Sequence, residues 1–112
     1  MRDNLSETIY ALATPPGRSA IAVIRISGRE ASKAPALFSA SCPANGRFVV
    51  SRLMQAGKVL DQVILLFMKG PGSSTGEDVC EIHCHGSQAV INAIMTRLRE
   101  ENTFRLAHPG EF

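Results

Sequence analysis

With 112 residues, 45% of them apolar and 20% charged, the chain has the size and make-up of one globular domain with a single core. Its formal charge of +2, with acids and bases interleaved, gives no electrostatic footprint for gripping a nucleic-acid backbone unaided. The N-terminal MRDNLSETIY lacks the apolar core of a signal peptide, no apolar run reaches the roughly 18 residues of a membrane span, and three cysteines are an odd number. A reducing, cytoplasmic setting without a membrane partner is expected.

Residues 7–13 (ETIYALA) read as a short strand. Thr14-Pro15-Pro16-Gly17 ends it, because two prolines remove donors and fix φ while the glycine permits a tight turn. Arg18 and Ser19 then stand at the mouth of the next element. Residues 19–27 (SAIAVIRIS) predict a central strand covered on both faces. Arg25 interrupts that run, and a charge there needs a partner or an open strand end. Ser27 or Gly28 caps an expected helix from about residue 29, with Ala31, Ala34, Leu37 and Phe38 on one side. Pro35 should kink this helix or end its first turn. Residues 39–46 are a loop of small residues. Residues 47–56 and 59–68 predict a hairpin joined at Gly57-Lys58, its second strand central in the sheet.

After a glycine- and serine-rich turn over 69–76, residues 78–85 alternate strictly. They place Glu81, His83 and His85 on one strand face, and Cys80, Ile82 and Cys84 on the other. Ser87 caps a helix running to about residue 102, with Ala89 or Val90, Ile91, Ile94, Met95 and Leu98 as its apolar stripe. A last short strand over 104–107 precedes His108-Pro109-Gly110. The chain stops at HPGEF, directly after a turn signal, and is expected to be a fragment of a longer protein. The order β-β-α-β-β-β-α-β predicts one α+β domain over 1–112, with two main helices on one face of a mixed or antiparallel sheet.

The densest group of site-type side chains lies in 70–87, GPGSSTGEDVCEIHCHGS. Glu81, His83 and His85, with His108, offer imidazole and carboxylate ligands for a metal, but His-x-His alone is a weak signal and half-exposed strand histidines are commoner. Cys80 and Cys84 lie roughly 13 Å apart at about 3.3 Å per residue, too far to bridge, and alternation sends both away from the histidines. They are expected to be buried, inert thiols. The glycines of the turn lack the G-x-x-x-x-G-K-[ST] pattern and precede a strand, so nucleotide hydrolysis is not supported; His85-Gly86-Ser87 at a helix start could hold an anion. Finally, a strand carboxylate such as Glu81 can accept two parallel N–H bonds from a cyclic amidine, and Arg25 could hold the same ligand's carbonyl edge or carboxylate tail. The plainer alternative is an Arg25–Glu81 ion pair that stabilises the sheet.

The stretches ATPPGRSAIAVIRISG, VLDQVILLFMKGPGSSTGEDVCEIHCHGS and LAHPGEF resemble the N-terminal domain of the MnmE (TrmE) family of tRNA modification GTPases. The likeness spans essentially the whole chain, least well between 29 and 58, and its motifs TPPGR, RISG, LDQ, TGEDVxE, HG and PGEF stand in the family's order. It implies a fold similar to the tetrahydrofolate-binding aminomethyltransferases and a homodimer that holds a one-carbon folate, such as 5-formyltetrahydrofolate. Arg25 and Glu81 are the implied folate contacts; a third, a lysine, lies past the end of this chain. No catalytic residue and no metal ligand is implied here. GTP, magnesium and potassium belong to a G domain outside this chain. The family works with the FAD protein MnmG to place an aminomethyl-type group, commonly carboxymethylaminomethyl, on C5 of the wobble uridine of tRNA. Alone, this chain is expected to hold folate weakly and to hydrolyse no GTP. One departure is Ser74, where the family usually has an aromatic. The competing expectation is a purely structural dimerisation module without a ligand.

Overall fold

Strand alternation gives the sheet one largely buried face and one more open face. The computed structural model describes residues 7–14 and 20–112. Its strands are β1 (Thr8–Leu12), β2 (Ile21–Ser27), β3 (Arg47–Gln55), β4 (Lys58–Met68), β5 (Val79–His85) and β6 (Phe104–Leu106), with one α-helix, α1 (Gln88–Arg99). They form one six-stranded sheet in the order β3-β4-β5-β2-β1-β6. Every neighbouring pair is antiparallel except β1 and β6, which run parallel, so the sheet is mixed. The α+β class and the succession of six strands are those the sequence predicts.

The main hydrophobic cluster lies on one face. Ile24 and Ile26 of β2, Leu53 of β3, Val63 and Leu65 of β4, and Cys80, Ile82 and Cys84 of β5 are buried there against Ile94 and Leu98 of α1 and Phe38. Ser87 caps α1 as expected, its hydroxyl accepting from the Val90 N–H at 3.4 Å.

Among the described residues no helix covers the opposite face, although Ile9, Ser27 and Val79 at one end of it are buried. Phe48 is 71% exposed and Val50 65%, and Ile21 and Ile64 are exposed beside them. This corrects one expectation: β2 is central, but it is not covered on both faces. Ala22, Ile24 and Ile26 are buried while Val23 and Arg25 between them are only half-buried, because the helical segments all sit on the core side.

Two local readings also shift. The helix expected from residue 29 is a pair of 3-10 turns, Ala31–Lys33 and Pro35–Phe38. Pro35 has no N–H to continue the ladder, so the first turn stops at it and a second begins. The hairpin turn falls on Ala56-Gly57, one residue earlier than expected. Both have positive φ, 51° and 77°, as a two-residue turn matching strand twist requires. The TPPGR motif, with Arg18 and Ser19, lies largely in 15–19, outside the described residues.

Candidate functional site

Strand register brings Arg25 and Glu81 together. In the antiparallel β2–β5 ladder Arg25 stands opposite Glu81, and Val23 opposite His83. Directly opposed side chains share a face and lie within reach of each other. The Arg25 Nε donates to Glu81 Oε2 at 2.7 Å. On the other oxygen, His83 Nε2 lies 2.8 Å from Oε1. Glu81 is the best shielded of the three, its side chain 14% exposed against 33% for Arg25 and 31% for His83.

Burial by itself would raise the Glu81 carboxyl. The hydrogen bonds from His83 and Arg25, helped by the Arg25 charge, outweigh it and hold the group below the ordinary carboxylate range. Glu81 is therefore an anion near neutrality. A carboxylate can only accept, so His83 presents Nε2 as N–H. One carboxylate is thus fixed by two donors, one per oxygen.

Arg25 also faces a cavity of about 400 Å³ on the far side from Glu81. Its walls are Ala11, Leu12 and Ala13 at the end of β1 and the segment 107–112 that follows β6. That segment is tied down by a charge network the sequence does not announce. Arg105 Nε donates to Glu7 Oε2 at 2.6 Å, and Arg105 Nη2 to Glu111 Oε2 at 2.6 Å. The His108 N–H adds a bond to Glu111 Oε1 at 2.8 Å.

The other sequence candidates separate. His85 turns to β4, where Asp61 accepts its backbone N–H at 2.9 Å and its Nδ1 lies 2.7 Å from Asp61 Oδ1. His108 sits on the Glu111 turn, and no group of three or more potential metal ligands converges among the described residues. Cys80 and Cys84 are buried and free, as the alternation predicts. Burial pushes the Cys84 thiol up to about 11 and Cys80 higher still, so neither supplies thiolate near neutrality. In the turn, Gly70 N–H is held by Asp78 Oδ1 at 2.9 Å, and the Ser27 and Thr75 hydroxyls meet at 2.8 Å. These bonds fix the rim at which β5 begins.

Sequence reasoning passed over the Glu81–His83 bond, Asp61, and Arg105 with Glu7 and Glu111. For Asp61 a signal existed: an acid inside the apolar run VLDQVILLFM needs a donor partner. Arg105 and Glu7 lie 98 positions apart and carry no such mark.

A family profile described as GTP-binding protein TrmE N-terminus matches residues 8–112. Among curated proteins, the chain is 43% identical over 109 residues to a tRNA modification GTPase MnmE from Anaplasma marginale (strain St. Maries), covering 96% of this chain and 24% of that protein. Its identity is 45% over 109 residues to the protein of the same name from Phenylobacterium zucineum (strain HLK1), again 96% of this chain and 24% of the relative. With the Haemophilus influenzae (strain ATCC 51907 / DSM 11121 / KW20 / Rd) protein of that name it is 41% over 109 residues, with the same coverage. The chain spans about a quarter of the length of these relatives.

Proposed function

The chain belongs to the TrmE N-terminal family, and from that premise we propose that it is the folate-binding, dimerising domain of a tRNA modification GTPase. In this reading the whole protein is a cytoplasmic enzyme. It hydrolyses GTP with magnesium and potassium bound outside this chain, and works with the FAD protein MnmG on tRNA. The product carries an aminomethyl-type group, commonly carboxymethylaminomethyl, at C5 of the wobble uridine. A one-carbon tetrahydrofolate such as 5-formyltetrahydrofolate, when bound, supplies the carbon unit.

The observation that carries the folate reading is the meeting of Arg25 and Glu81 on the uncovered sheet face, with a cavity beside the arginine. The residues suit the ligand. A reduced pterin offers a 2-amino group and N3–H side by side, two parallel donors with no charge of their own. Glu81 is ionised, and each of its oxygens accepts one bond within the protein, leaving lone pairs for both ligand donors. Arg25 is a cation beside the cavity, suited to a carbonyl or carboxylate of the same ligand.

A second reading rests on the same pair. Arg25 and Glu81 satisfy each other, so they could serve as sheet scaffolding in a domain whose task is dimerisation alone. Calorimetric titration with 5-formyltetrahydrofolate separates the two. Binding by the wild type, weakened at least about tenfold in both Glu81→Ala and Arg25→Ala, is the expected result; about 1.5–3 kcal/mol accompanies a hydrogen bond to a charged group. Equal affinity in all three proteins, or no binding by the wild type, would leave the scaffolding reading standing.

A further inference from the structure

We propose that His83 is a positioning residue of the Glu81 site, orienting the carboxylate through its Nε2–H for a ligand with paired donors. The inference rests on the folate-type reading of Glu81 given above. The terminal torsion of a glutamate is broad and roughly two-fold, so one hydrogen bond leaves the carboxylate plane free to swing about the bonded oxygen. The Arg25 bond to Oε2 is one such bond. His83 closes the other side at Oε1, and two donors on two oxygens fix the plane. The lone pairs that remain then point in a set direction, which a ligand with two parallel N–H groups needs and a single-donor ligand does not.

The backbone makes this placement precise. Glu81 and His83 are two apart on β5 and so share a face, and His83 is flanked in register by Val23 of β2 and Ile64 of β4. Those apolar neighbours give the imidazole no competing hydrogen-bond partner. Among the described residues, the charged groups on this strand and its neighbours include Arg25 on β2, Glu81 on β5 itself, Asp61 on β4, which is engaged by His85, and Arg52 on β3, opposite Gln62. A leucine or another apolar residue at 83 would fill the same space between Val23 and Ile64 without the donor, so packing does not by itself account for the imidazole.

The test compares His83→Leu, which removes the donor, with His83→Gln, which keeps an N–H. Affinity for 5-formyltetrahydrofolate is measured by calorimetry on the intact chain. Glu81 titration is followed separately by carboxyl carbon-13 chemical shift, which needs no ligand. The expected result is about tenfold weaker binding and a raised Glu81 midpoint in His83→Leu, with His83→Gln closer to wild type on both counts. Equal behaviour of the two variants, whether both lose or both retain these properties, overturns the proposal. If wild type binds no folate, the functional reading falls instead. The Leu–Gln comparison of the Glu81 midpoint then decides the positioning role alone.

Discussion

Glu111 accepts from Arg105 through both carboxylate oxygens and from the His108 N–H, at 3.1, 2.6 and 2.8 Å. The Arg105 hydrogen bonds, with that backbone bond, hold its carboxyl down to about 2. In the unfolded chain a glutamate titrates near 4.3. Between those values the unfolded state binds a proton that the folded state does not, so stability rises with pH across this window. The contribution is complete above about pH 4.5 and is lost as pH falls through about 2. Glu81, whose carboxyl is also lowered, acts in the same sense. We therefore expect wild type to exceed Glu111→Gln in urea midpoint at pH 6, and the gap to close as pH approaches 2. Parallel midpoint curves over that range would show that the network adds no linked stability. The network also holds 107–112, one wall of the cavity beside Arg25, in place.

At the level of elements, Gly28 joins β2 to the first 3-10 turn at φ +141°, and its N–H donates to the Asp78 carbonyl at 2.9 Å. A Cβ there would lie 2.7 Å from the Glu7 carbonyl oxygen and from Thr8 Cα. Gly28→Ala meets both an unfavourable φ and backbone that cannot move aside. We expect a loss of about 2 kcal/mol or more in chemical denaturation; a change below about 0.5 kcal/mol would mean that β1 yields easily. How far such elements were legible depended on the range of the forces that made them. The alternation in VCEIHCH sorts its side chains by a two-residue period, and the structure keeps that sorting from Cys80 to His85. Pro35 announced a helix interruption because its effect is confined to its own turn. The Arg25–Glu81 pair could be named as a candidate, but only strand order and register bring its members together across 56 positions. The partners of Arg105 left no such trace, Glu7 lying 98 positions away.

Taken whole, the molecule is a sheet with helical cover on one side. Phe48 and Val50 of the edge strand β3, with Ile64 of β4 opposite Val50 and Ile21 of β2, form an exposed apolar area on its other side. Apolar surface grouped on an edge strand invites a partner. In the dimer proposed above, a second copy of the chain would cover it. Val50→Glu should then sediment as a monomer at concentrations where wild type is dimeric, with its unfolding midpoint little changed; a dimer that persists in the variant places the contact elsewhere. The one-sided cover has a further consequence for how the sequence can change. Along β5, positions 80, 82 and 84 answer to packing, while 81, 83 and 85 answer to charge and donor geometry. Because these two demands fall on alternate residues of one strand, side-chain chemistry can change at the outward positions while the interior stays as it is. The fold thus keeps inheritance of shape and invention of chemistry on opposite sides of a single layer.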